Sequence, residues 1–200
     1  MEKPAEAKYP IHEIVRRRWS PRAFSPRAVT ADTLRSLFEA ARWSPSSFNA
    51  QPWAFLVAAK EDRENFDRIL DTLVEQNRAW AQRAAVLMIN AAKKKFDHDG
   101  SLNRHTLYDL GQATAYLTMQ ATSMGLVVHQ MAGFSPAKAR ELFQIPEEWE
   151  PGAAIALGYP AEAREIPEIL REKEKVPRVR KPIEEFVFGG MWGRASAIVK

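Results

Sequence analysis

The ten residues SPSSFNAQPW, Ser44 to Trp53, lie between an amphipathic helical stretch and the short apolar run AFLVAA. Pro45 and Pro52 hold the backbone out of regular structure. Between them stand Ser46, Ser47, Asn49 and Gln51, a set of hydroxyls and amides. Each Asn or Gln offers both a donor and an acceptor. Such groups suit the edge of a flat heterocycle in which carbonyls alternate with an N–H. They also build ordinary polar loops, and local chemistry alone does not choose between the two. What the stretch does fix is a helix-to-strand junction.

The pattern continues in both directions. Upstream, a short helix is expected over 11–18, with Ile11, Ile14 and Val15 on one face. Thr30 is placed to cap a second, which carries Leu34, Leu37, Phe38 and Ala41 at helical spacing and ends near Trp43. Downstream, 54–59 reads as a buried strand. Residues 61–76 read as one charged helix with Phe66, Ile69, Leu70 and Leu73 inward, and AVLMINA at 85–91 as a second buried strand. The longest helical pattern runs over 104–124, about 21 residues or roughly 30 Å. Leu107, Leu110, Thr114, Leu117, Ala121 and Met124 mark its stripe, with Ala113, Ala115 and Met119 beside it. A helix so apolar is expected at a subunit interface. Gly125 reads as its stop. Strands over 126–132 and 152–159 flank a short helix over 136–143. Continuous apolar strands suit a sheet covered on both faces. The expected fold is therefore α+β, an α/β/α sandwich with a mixed central sheet, in one domain over 1–200.

The segment 160–200 differs. Pro160, Pro167, Pro177 and Pro182 punctuate a charged stretch with few apolar residues. Ile183, Phe186, Val187, Phe188, Met191 and Trp192 then follow and need burial. This pattern predicts an extended arm docked on another surface.

Composition narrows the chemistry. With 46% hydrophobic and 27% charged residues, the chain has the makings of one globular core. There is no cysteine, which excludes disulfides, thiolate catalysis, iron–sulfur ligation and Cys-type zinc sites. No apolar run reaches the roughly 18 residues of a membrane span. MEKPAEAKYP lacks the apolar core of a signal peptide, so a cytoplasmic location and no membrane partner are expected. The net charge of +4 and the run Arg16–Arg17–Arg18 raise the possibility of a nucleic-acid partner. The arginines are few and no nucleic-acid-binding motif accompanies them, so none is expected.

Four segments, in order, carry a resemblance. They are RRRWSPRAF at 16–24, PSSFNAQPW at 45–53, MAGF at 131–134 with ALGYP at 156–160, and RVRKPIEEFV at 178–187. Together they resemble the FMN-dependent nitroreductase family across nearly the whole chain. The resemblance implies a homodimer with FMN sites at the subunit interface and terminal segments wrapped around the partner. It also implies NAD(P)H as reductant and a small-molecule electron acceptor, either a nitroaromatic or an enone, quinone or halogenated aromatic.

The resemblance also distributes roles. Arg18 and Ser20 match positions that hold the phosphate, with Trp19 offering its backbone and Arg22 beside them. Guanidinium groups suit a phosphate because their donors form a rigid fork. Arg178 and Arg180 match a late basic pair clamped on the same phosphate and ribityl chain. Pro45, Ser46, Ser47 and Asn49 match positions that reach the flavin from the second subunit, and Gln51 matches an amide on the ring's pyrimidine edge. Asn77 falls where relatives place another ring-contacting amide; a helix C-cap is the alternative for it. Ala132 and Gly133 match a backbone contact near flavin N5, with Ala132 replacing an acidic residue found in some members. No side chain is expected to act as catalytic acid or base, because the chemistry is at N5. Segments 61–80 and 93–107 are candidates for the lid that selects substrate.

Other groups read as structural. Asp97, His98, Asp99 and His105 do not share a helical face and suit a solvated loop, so no metal is expected. His129, in an apolar strand, reads as a core residue with a satisfied ring. His12 has no obvious partner. No Rossmann fingerprint, Walker loop or nucleophile elbow is present.

Overall fold

The computed structural model describes residues 3–199. The elements in chain order are α1 (Glu13–Arg17), α2 (Ala31–Arg42), β1 (Trp53–Ala59), α3 (Arg63–Thr72), α4 (Glu75–Ala81), β2 (Val86–Lys93), α5 (Thr106–Ser123), β3 (Val127–Met131), α6 (Pro136–Phe143), β4 (Trp149–Gly158) and α7 (Glu168–Lys175). The four strands form one sheet in the order β1-β2-β4-β3.

Successive strand residues point to opposite faces, and this alternation builds two cores. Leu87, Ile89, Ala154 and Ala156 face one side, where Phe66, Ile69 and Leu70 of α3 and Ala139 of α6 cover them. Val86, Met88, Ile155 and Leu157 face the other, under Leu37 and Ala41 of α2 and Ala113 and Leu117 of α5. The sheet is thus sandwiched between helical layers. The mixed pairing expected from strands separated by helices is not what forms: β1–β2, β2–β4 and β3–β4 are all antiparallel. A helix between strands suggests a parallel crossover, but here helices also link antiparallel neighbours.

The register of β2 against β4 shifts between Asn90 and Ala91. The buried Asn90 amide fills the gap. Its Oδ1 accepts from the Ala153 N–H at 2.6 Å, and its Nδ2 donates to Thr114 Oγ1 at 2.9 Å. Both ends of a buried amide are therefore satisfied, as its burial requires.

Three local expectations need correction. The single helix over 61–76 is two. Leu73 takes an extended conformation at the end of α3 and bridges to Phe134, and α4 begins after Val74. Asn77 consequently sits inside α4 and is no C-cap. The buried stripe of α5 keeps Leu110, Thr114, Leu117 and Ala121 as expected but differs at its ends. Leu107 and Met124 are exposed, while Thr106 and Asp109 are buried. The Thr106 hydroxyl donates to the Lys93 carbonyl at 2.5 Å and Asp109 accepts from the Ser47 N–H at 3.0 Å, so tertiary bonds outrank side-chain polarity there.

The segment beyond β4 divides in two. Ile166 and Leu170 enter the core of the same chain, and α7 packs on it. From about residue 177 onward Val179, Phe186, Met191, Trp192 and Ile198 stand exposed.

Candidate functional site

The turn after α1 gathers positive charge. Arg18 ends that helix and is half-buried; its Nη1 donates to Ser20 Oγ at 3.0 Å. Trp19 is half-buried, with Lys3 Nζ 5.2 Å from its ring centroid. Burial lowers the pKa of Arg18, and the nearby charges of Arg178 and Arg180 lower it further. Arg178 is shifted the same way, by burial and by Arg180. Three guanidinium groups therefore act on one another across the ends of the chain. Among the described residues no carboxylate pairs with any of the three. Such a cluster suits an anion of high charge, such as a phosphate. Arg178 also has a structural duty, donating from Nη1 to the carbonyls of Lys3 at 2.6 Å and Arg16 at 3.1 Å.

A second group forms where α4 meets the end of β3. Asn77 Nδ2 donates to the Gly133 carbonyl at 3.0 Å, and the Val74 N–H donates to the same oxygen at 3.1 Å. A Cβ on Gly133 would lie 2.6 Å from Asn77 Nδ2 and 2.9 Å from Val74 Cγ2. Only glycine allows this approach. Ala132, next to it, is exposed.

The loop 45–52 forms the third group. Ser47–Asn49 make one 3-10 turn. Phe48, Asn49 and Gln51 have φ of 51°, 53° and 47°. Left-handed backbone disfavours residues with a Cβ and costs of order 1 kcal/mol or more each. Three such residues within four positions persist because the loop is held from both ends. The Ser47 N–H is bound by buried Asp109, and the Gln51 N–H donates to Ser46 Oγ at 3.0 Å. Gln51 Nε2 folds back on the Asn49 carbonyl at 3.2 Å. Pro45, Asn49 and Gln51 are exposed, and Ser46 and Ser47 half-buried. Beside the loop opens a cavity of about 330 Å³ that Phe48, Gln51, Lys93, His98 and Trp149 help to line. No hydrogen bond or ion pair among the described residues joins this loop to the arginine cluster within one chain.

The sequence profile described as the nitroreductase family matches residues 15–159. The chain belongs to the nitroreductase family. It is similar to a solved structure described as an oxidoreductase containing FMN, with a TM-score of 0.87 and 32% identity over 94% of this chain and 96% of that one. It is 32% identical over 121 residues to an uncharacterized 15.4 kDa protein of Mycolicibacterium smegmatis, covering 60% of this chain and 80% of that protein. It is 26% identical over 202 residues to an NADH dehydrogenase of Thermus thermophilus, covering 86% and 91%. The sandwich is thus a nitroreductase fold, and the chain is a nitroreductase-family oxidoreductase.

Several residues around the site were not singled out from sequence for what they do there. Asp109 pins the strained loop, and only its place on the buried side of an otherwise apolar helix hints at that. Glu174, buried on α7, accepts from the Arg22 N–H at 2.7 Å, and nothing in its charged surroundings marks it. His129 does have a satisfied ring: Nδ1 donates to the Pro21 carbonyl at 2.8 Å, and the ring packs on Trp80 with centroids 4.6 Å apart. Burial holds its imidazole below the usual histidine range. The Pro21 and Ser20 backbone acceptors oppose this, while Arg22 and Arg18 add to it. His12 caps α1, its Nδ1 accepting from the Ile14 N–H at 3.2 Å. Asp97 pairs with Lys93, and Asp99 accepts from the Ser101 backbone and hydroxyl. No group of three potential metal ligands occurs among the described residues, and no helix there is long and apolar enough to cross a membrane.

Proposed function

We propose that the protein is an FMN-dependent NAD(P)H oxidoreductase of nitroreductase type that works as a homodimer. The observation that carries this reading is the arginine cluster: Arg178 Nη1 reaches the Arg16 carbonyl at 3.1 Å beside the turn of Arg18, Arg180 follows two positions on, and none of the three has a carboxylate partner among the described residues. Arg18, Ser20 and Arg22, with the backbone at Trp19, would hold the phosphate together with the two late arginines. Asn77 and Gly133 would orient the ring, supported by their tight mutual packing. Pro45, Ser46, Ser47, Asn49 and Gln51 would close over the flavin from the second subunit. Their exposure and strained backbone support a surface shaped for contact.

FMN held by these residues would supply the redox chemistry, two-electron hydride transfer between NAD(P)H and a nitroaromatic or similar acceptor. The protein contributes orientation, charge compensation and exclusion of water, and no side chain is assigned a proton transfer. The dimer reading draws support from the apolar residues left exposed near the loop and on α5, namely Trp43, Phe48, Leu107, Tyr108 and Tyr116. The exposed apolar residues beyond 177 are suited to an arm exchanged between subunits. Of the two lid candidates, 61–80 is anchored by buried Phe66 and Ile69, and 93–107 by buried Asn103 and Thr106 but with Leu102 exposed, which favours 93–107 as the segment that would select the acceptor.

The test is the visible spectrum of the purified protein reconstituted with FMN. A flavin spectrum that bleaches with NADH or NADPH under nitrogen and recovers on adding a nitroarene is the expected result. Bleaching with recovery only on an enone, quinone or halogenated aromatic would move the acceptor. Failure to take up FMN would overturn the reading.

A further inference from the structure

The peptide unit between Pro21 and Arg22 is gripped from both edges. A trans peptide is planar, with its oxygen and its N–H on opposite sides, and the described chain has no cis peptide. On one side His129, from β3, donates Nδ1–H to the Pro21 oxygen at 2.8 Å. On the other, the Glu174 carboxylate of α7 accepts from the Arg22 N–H at 2.7 Å. The two partners come from different elements, β3 and α7, and their bonds fix the rotation of this one plane about the chain axis. Donor and acceptor also polarise the amide in the same sense, which strengthens both bonds.

Glu174 is a costly choice for packing alone. It is 1% exposed, and its Oε2 has no hydrogen-bond partner among the described residues. A buried carboxylate is poorly tolerated without compensation. The end of α7 is in turn tied down: Lys3 Nζ donates to the carbonyls of Glu174 and Val176, and Arg178 reaches the Lys3 and Arg16 carbonyls. The same few residues thus carry both the carboxylate that grips the turn and the first of the late arginines.

We propose that Glu174 and His129 are positioning residues that lock the Pro21–Arg22 peptide plane and so aim Arg18, Ser20 and Arg22 at a phosphate. The inference rests on the reading of the arginine cluster as the FMN phosphate site. Neither residue touches the ligand; each acts through the backbone of the turn.

The test compares affinities for FMN and for riboflavin, which lacks the phosphate, by flavin fluorescence titration of the apo-protein, with thermal unfolding in parallel. Glu174→Ala is expected to weaken FMN about tenfold, about 1.4 kcal/mol, and to leave riboflavin unchanged. Glu174→Gln keeps an acceptor for the Arg22 N–H and is expected to restore the preference for FMN. His129→Phe keeps a ring against Trp80 but loses the donor, so the preference should fall as in Glu174→Ala. Leu37→Ala, in the core on the other face of the sheet, should lower the melting temperature and leave the FMN-to-riboflavin ratio intact. Loss of both flavins by the same factor, or an equal fall of the ratio in Leu37→Ala, would overturn the inference. If Glu174→Ala does not fold, His129→Phe decides: a ratio kept at the wild-type value refutes the proposal. A wild-type protein that binds neither flavin would overturn the site reading itself and this inference with it. A wild-type preference for FMN that survives in every variant would overturn this inference alone.

Discussion

Replacing Gly133 by alanine adds a single methyl at the tightest point of the site. Its Cβ would stand 2.6 Å from Asn77 Nδ2 and 2.9 Å from Val74 Cγ2, so a neighbour must move. Asn77 is not free to swing, because its amide donates to the Gly133 carbonyl at 3.0 Å. Overpacking of this kind costs about 1–3 kcal/mol, and the broken hydrogen bond about 1 kcal/mol more. The sum, about 2–4 kcal/mol, corresponds to a fall in melting temperature of roughly 4–16 °C for a chain of this size. Circular dichroism melts of Gly133→Ala, Asn77→Ala and the double variant measure it. Once Asn77 is truncated the added methyl has room on that side, so the two substitutions should be strongly non-additive. A melting temperature for Gly133→Ala within about 1 °C of wild type would refute the reasoning. So would strict additivity, since the clash with Asn77 would then not be the source of the cost.

Two further outcomes follow from the same geometry. Asp109→Ala removes the acceptor of the Ser47 N–H beneath a loop with three left-handed residues; a loss of about 1–3 kcal/mol in urea unfolding is expected, together with faster proteolysis near Phe48, and unchanged proteolysis would show the loop holds itself. His129 has a pKa below the ordinary 6.5 in the folded state, so the unfolded chain binds its proton more readily. Stability from the neutral ring is present above about pH 6.5 and is lost as the pH falls through that value toward the lower folded pKa. Urea unfolding of wild type and His129→Phe at pH 7.5 and 5.5 should show a smaller pH difference in the variant, and an equal difference would contradict the assignment.

The layers of the fold were legible because both signals behind them are local. Leu34, Leu37 and Ala41 repeat at helical spacing, and the apolar run at 85–91 is long enough for a strand buried on both faces. Strand direction was not legible, because a helix can connect antiparallel neighbours as well as parallel ones. The break at Leu73 escaped notice for a related reason: it is enforced by Phe134, some sixty positions away, and leaves no mark in the local pattern. The burial at the start of α5 falls on two polar residues, Thr106 and Asp109, whose partners lie in other segments. In the site, the arginines and the loop amides were visible as residue types in a family pattern. The groups that hold them, Asp109, His129 and Glu174, act through distant backbone atoms and carry no motif.

The bond from Glu174 to Arg22 spans 152 positions of sequence. Contacts of that span close late, since the entropy of the intervening loop must be lost first. During synthesis the sheet can assemble from residues 53–158 while the turn at 18–22 still lacks one of its two grips. A nascent chain that has not yet delivered α7 would therefore present a nearly finished scaffold with an unaimed anion site. On the proposed function, a chain truncated ahead of residue 174 would keep all four strands and still hold FMN more weakly than the full chain.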